Sequence, residues 1–236
     1  NIKYADKNNE LHSVYETSWG LSTRIIGAII MVHGDDSGLV LPPRIAPVQT
    51  RVIPIAQHKE GVLDKANELL DALKAAGYRA KIDDSEKSPG WKFSEQEMLG
   101  IPVRVELGPK DIENGQAVLV RRDTREKTVV SIDDVPAVLK ELLETVQQDM
   151  YDRAKAFLDS HIDEAQTMDE MKAKFTDNRG FIKAMWCGDE SCEEMIKTET
   201  GGAGSRCLIE DEEPISDRCV CCGKPAKYKV FWGKAY

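Results

Sequence analysis

A chain of 236 residues, 31% charged and 41% hydrophobic, has the composition of one or two ordinary globular domains. Its net charge of -9 argues against a protein that coats nucleic acid indiscriminately, because phosphate binding needs clustered Lys and Arg, but it leaves room for a local basic patch. The longest apolar run, residues 25–32, is far too short to span a bilayer and no charged-then-apolar leader opens the sequence, so no membrane partner and a cytoplasmic location are expected.

In chain order, the first informative stretch is Thr17-Ser18-Trp19-Gly20-Leu21-Ser22-Thr23-Arg24. An apolar run follows, then Met31-Val32-His33-Gly34-Asp35-Asp36 and Gly38-Leu39-Val40-Leu41-Pro42-Pro43. A turn carrying Gly20 sets two hydroxyls and an arginine at a helix start, where unpaired N–H groups and the positive end of the helix dipole favour an anion. Arg24 adds a planar fork that can hold phosphate and stack on a base. The same residues also suit an N-cap with a surface ion pair, so by themselves they mark only a candidate nucleotide site.

The whole string, TSWGLSTRIIGAIIMVHGDDSGLVLPPRIAP, resembles motif 3 of prolyl-tRNA synthetases of the archaeal and eukaryotic type. The resemblance implies a strand and helix of a class II catalytic sheet, with Arg24 as a catalytic residue on ATP, Ser22 beside it, and Trp19 and Thr23 lining the same pocket. Only 16 residues precede Thr17, so the dimer-forming motif 1 and the motif 2 arginine of that family are expected to lie outside this chain.

After Pro43 an alternating α/β pattern begins. Residues 51–55 read as a strand, and Val62, Leu63, Ala66, Leu69, Leu70, Leu73 and Ala76 recur at helical spacing up to Gly77. A second strand is expected at 78–82. Ser94 with Glu97 forms a capping-box signature for a short helix closed by Gly100. Strands follow at 103–107, 117–120 and 128–132, then a helix opened by Asp133 and Asp134. Three helices on a mixed sheet of about five strands make a complete small α/β domain.

PGWKFSEQEMLGIPVRVELGP (89–109) and LVRRDTREK (119–127) resemble the anticodon-binding domain of class II synthetases for histidine, glycine, threonine and proline. The implied ligand is the anticodon loop of proline tRNA, whose unstacked bases can be read by hydrogen bonds and aromatic stacking. Candidate contacts are Lys92, Phe93, Glu97, Arg104, Arg121, Arg122 and Lys127. For the alternating charges of 121–127, a solvated hairpin is the competing reading.

Residues 149–179 read as a polar helical connector with a second capping box at Thr167 and Glu170, and His161 as a solvent-facing cap near its end. All six cysteines lie beyond it. Cys187 and Cys192 form one close pair, Cys219 and Cys222 another, and two close pairs separated by a longer insert suit a closed tetrahedral zinc site of structural type. Gly223 after Cys222 permits a tight knuckle, and Cys207 is expected to be a buried small residue. The ending CVCCGKPAKYKVFWGKAY resembles the C-terminal zinc-binding domain of the prolyl family. Some relatives there use a one-residue spacing that would make Cys221 the fourth ligand, and the final tyrosine, here Tyr236, reaches toward the catalytic site.

The reading is α/β, in three parts: residues 1–44, the end of a class II catalytic sheet; 45–150, the anticodon-binding domain; and 151–236, connector helices with a small α+β zinc-binding domain. The resemblance implies a proline-tRNA ligase that uses ATP, Mg2+ and structural Zn2+, acts on proline and proline tRNA, and is a homodimer at full length. A non-catalytic tRNA-binding or scaffold module derived from such an enzyme is the alternative.

Overall fold

The chain opens with a two-stranded antiparallel hairpin, β1 (Lys3–Ala5) and β2 (Leu11–Ser13), in a computed structural model that describes residues 2–177 and 180–235. Residues 14–22 form neither helix nor strand, so the strand implied ahead of Arg24 is not found there. Helix α1 (Arg24–His33) follows and ends at Gly34, whose N–H donates to the Ile30 carbonyl. None of its residues is buried: Ile25, Ile26, Ile30, Met31 and Val32 all face solvent.

The next elements are β3 (Thr50–Pro54), α2 (Val62–Ala75), β4 (Ala80–Ile82), α3 (Pro89–Leu99) and β5 (Val103–Leu107). They are followed by α4 (Pro109–Glu113), β6 (Gln116–Arg121) and β7 (Lys127–Ser131). The five strands form one mixed sheet in the order β4-β3-β5-β6-β7, parallel from β4 to β5 and antiparallel beyond. Every residue of central β5 is buried, and its alternation explains how: Val103, Val105 and Leu107 enter the apolar core, while Arg104 and Glu106 point the other way and pair with each other at 2.8 Å. Leu69, Leu70 and Leu73 of α2 supply the matching helical stripe.

Helix α3 is capped six residues before the expected Ser94. Ser88 is its N-cap, its Oγ accepting from Trp91 N at 3.4 Å, and Pro89 fills the first helical position, where a missing N–H costs nothing. Ser94 and Glu97 therefore sit inside the helix, and Gly100 closes it in the left-handed conformation at φ 69°.

A single 3-10 turn (Ile132–Asp134) leads into α5 (Val135–Ser160), 26 residues without a break where two helices were expected. By contact density the chain divides into two units, 1–147 and 148–236. The second contains β8 (Ile162–Ala165), α6 (Met168–Asp177), β9 (Phe181–Trp186), α7 (Glu190–Thr200), β10 (Ala203–Ile209) and β11 (Tyr228–Lys234). Its sheet runs β10-β11-β9-β8, and Trp232, Ile182 and Val230 pack against Met171, Phe175 and Ile196. Strand β8 corrects the wholly helical reading of the connector, whose last two residues lie outside the described ones, as does Tyr236. Among the described residues no helix is long and apolar enough to cross a membrane.

Candidate metal, tRNA and nucleotide sites

The sulfurs of Cys187, Cys192, Cys219 and Cys222 lie within 4.8 Å of one another. Cys187 follows β9, Cys192 sits in the first turn of α7, and the other two belong to the loop before β11. Cys187 Sγ is 3.7 Å from Cys192 Sγ and 3.8 Å from Cys222 Sγ. Zinc holds thiolates at about 2.3 Å, which puts neighbouring sulfurs of a tetrahedron about 3.8 Å apart, so the spacing fits this ion.

Both loops have the same construction. Gly188 follows Cys187 at φ 89° and Gly223 follows Cys222 at φ 68°, and in each case the next N–H, of Asp189 or Lys224, donates to the sulfur two residues back. The Lys224 N–H lowers the Cys222 pKa to about 7, whereas burial pushes the Cys187 and Cys192 thiols up. Cys221 packs against the core of the unit. Cys207 is exposed on β10, which corrects its expected burial: the residue lies on an edge strand, away from the helix-covered core.

A second cluster occupies the α3, β5 and β6 side of the first unit. Lys92 is buried, and its ammonium donates to Gln57 Oε1 at 3.0 Å and to the Asp83 carbonyl at 2.8 Å; burial pushes its pKa down. The Arg104 guanidinium lies 4.4 Å from the Phe93 ring centre and also bonds Glu97 at 3.1 Å. Arg121 forms a two-point pair with Asp123, and Lys127, more than half exposed, reaches Glu106 at 3.6 Å. Phe93 and Glu97 are half-buried.

Beside Lys92 lies an open cleft of 670 Å³ bordered by Ile55, Gln57, His58, Ser85, Lys87 and Ser88. It sits past the carboxyl end of β3 and at the N-terminus of α3, where open α/β sheets bind ligands.

At the head of α1, Ser22 Oγ accepts from Arg24 N at 3.4 Å, and Thr23 makes no side-chain cap. Arg24 is exposed and pairs with no carboxylate among the described residues, and Trp19 is 94% exposed. The structure thus brings Ser22, Thr23 and Arg24 together at one helix terminus and leaves Trp19 in solvent.

Residues 49–142 match the family described as Anticodon binding domain, and residues 168–236 match Prolyl-tRNA synthetase, C-terminal. The proline-tRNA ligases of Lachnospira eligens, Lachnoclostridium phytofermentans and Clostridium novyi are 62%, 60% and 58% identical to this chain, over all of it and over 49% of each relative. Along its whole length the chain is similar to the C-terminal half of proline-tRNA ligases. It spans about half the length of the curated relatives it matches, their C-terminal half. The synthetase likeness includes residues 1–48, which neither domain match covers.

Sequence reasoning missed one contact in this synthetase segment because its partners are 87 residues apart. Buried Arg122 grips Asp35 through two bonds, of 2.8 and 2.6 Å, and this pair holds the Asp35 carboxyl at about 2 against a usual 3.8. The depressed pKa sets the sign: the contribution to stability is full above about pH 4 and is lost as pH falls through 2. In urea unfolding, the stability difference between the unchanged chain and Asp35→Asn should therefore shrink from pH 5 to pH 2. A pH-independent difference would contradict the pair's strength.

Proposed function

We propose that this chain is the tRNA-reading and ATP-contacting C-terminal half of a proline-tRNA ligase. The observation that carries the reading is the identity to such ligases along the whole chain, including residues 17–43, which a tRNA-binding or scaffold module has no need to keep. In this reading Arg24 neutralises phosphate charge on ATP, with Ser22, Thr23 and Trp19 around the nucleotide. The proline carboxylate attacks the α-phosphorus and pyrophosphate leaves. The terminal ribose hydroxyl of the tRNA then attacks the prolyl carbonyl, releasing AMP.

No protein nucleophile is needed, so catalysis rests on positioning and on charge neutralisation. Mg2+ would add phosphate neutralisation when bound. Phe93, Glu97 and Lys127 present the anticodon face, and Lys92, Arg104 and Arg121 hold its shape from beneath. Cys187, Cys192, Cys219 and Cys222 would hold one Zn2+, a closed set with no position open for substrate. The domain boundaries at 44 and 150, the homodimer of the full-length enzyme and a cytoplasmic location belong to the same proposal.

The test is aminoacylation by the full-length protein, offered each amino acid with ATP and total tRNA. Proline alone should be charged, and only onto proline tRNA. Charging of another amino acid, or of none, would overturn the reading.

A further inference from the structure

Helix α1 buries none of its own residues, so what fixes its end to the α/β domain is the segment just after it. Leu39 N donates to the Met98 carbonyl at 3.1 Å and Leu41 N to the Gly100 carbonyl at 3.2 Å, tying residues 39–41 to the end of α3. The fit is close: a Cβ added at Gly38, where φ is 128°, would lie 2.6 Å from Met98 Cα.

One side chain joins this seam to the anticodon face. The Arg122 guanidinium, 1% exposed, spends both terminal nitrogens on Asp35, the second residue past α1, and its Nε on the Glu97 carbonyl of α3 at 2.8 Å. A second strut lies alongside, since Arg125 reaches Ser37 Oγ and, at 3.6 Å, Glu97. Glu97 in turn holds Arg104, which covers Phe93. Each nitrogen of its fork makes a bond inside the fold and the side chain is buried, so Arg122 offers no surface to a ligand.

We propose that Arg122 is a positioning residue which fixes the Arg24-bearing helix against the anticodon-reading helix α3, and that it does not touch tRNA. The inference rests on the ligase reading above. Its consequence is specific, because one tRNA must occupy the anticodon face and the catalytic centre at once. The separation of the two sites is then a variable of the transfer step, and small misplacements there cost rate. Adenylate formation and anticodon binding each use one site only and do not depend on it.

The test compares Asp35→Asn and Arg122→Lys in the full-length protein. Lysine keeps the charge but cannot span both Asp35 oxygens and the Glu97 carbonyl. Each variant should lower the kcat of aminoacylation about tenfold while leaving the KM for tRNA within about twofold. Proline-dependent pyrophosphate exchange by Asp35→Asn should also stay within about twofold, and the double variant should be no slower in transfer than either single one.

If Arg122 contacts phosphate, Arg122→Lys will change tRNA affinity and its salt dependence while Asp35→Asn stays silent, which overturns the proposal. Equal losses in transfer, exchange and thermal stability would reduce the pair to a structural one, and this too overturns it. If the unsubstituted protein charges no tRNA, the ligase reading falls and the inference falls with it. Normal charging with no transfer defect in either variant overturns the inference alone.

Discussion

Serine in place of Cys187 or of Cys222 is expected to take the zinc content of the purified chain from about one per molecule to near zero and to unfold much of residues 148–236. The four sulfurs already cluster within 4.8 Å of one another, Cys187 stands at tetrahedral spacing from Cys192 and Cys222, and each loop aims a backbone N–H at a sulfur, so little rearrangement separates the fold from a filled site. Thiolates packed this closely repel one another, and a divalent ion removes that cost. In zinc-finger peptides the apparent binding free energy is about 10–16 kcal/mol, all of it coupled to folding. The apolar core around Trp232 and Met171 is larger than a finger's, so only part of that energy would appear as lost stability here. Cys207→Ser and Cys221→Ser should keep the metal, because Cys207 is exposed on β10 and Cys221 packs into the core. Full zinc and unchanged thermal unfolding in Cys187→Ser, or metal loss in Cys221→Ser alone, would contradict this ligand set.

Arg24→Ala in the full-length protein is expected to slow proline-dependent pyrophosphate exchange by about 10²- to 10³-fold, the usual effect of removing one preorganised donor from a developing charge. The side chain stands exposed at a helix N-terminus with no carboxylate neutralising it among the described residues, so its charge is available to phosphate. No buried contact is lost with it, and stability should change little. Binding of proline tRNA should stay nearly unchanged. Normal exchange with weakened tRNA binding would show that Arg24 belongs to the tRNA surface instead.

Much of this architecture was legible because short-range rules governed it. The Leu69, Leu70 and Leu73 stripe of α2 follows helical period, and the cysteine pairs announce their geometry by spacing alone. Strand β5 was readable even though all of it is buried, since VRVEL keeps its alternation while its Arg and Glu satisfy each other across two positions. The start of α3 was misplaced because Ser94 and Glu97 imitate a capping box inside a helix that Ser88 and Pro89 had already begun. Strand β8 hid in an acidic stretch, where its pairing with β9 supplies what local propensity lacks. Arg122 carried no local sign of its role, because Asp35 and the Glu97 carbonyl reach it only through the folded chain.

The central claim is that the α/β domain of this chain reads the anticodon of proline tRNA, and equilibrium binding of the chain to that tRNA tests it most directly. Affinity should be modest and should fall as salt rises and phosphate contacts are screened. At fixed salt, anticodon substitution should weaken it by about tenfold per disrupted base contact, at roughly 1.4 kcal/mol each. Equal affinity for proline tRNA, its anticodon variants and unrelated tRNAs at every salt concentration would contradict the claim.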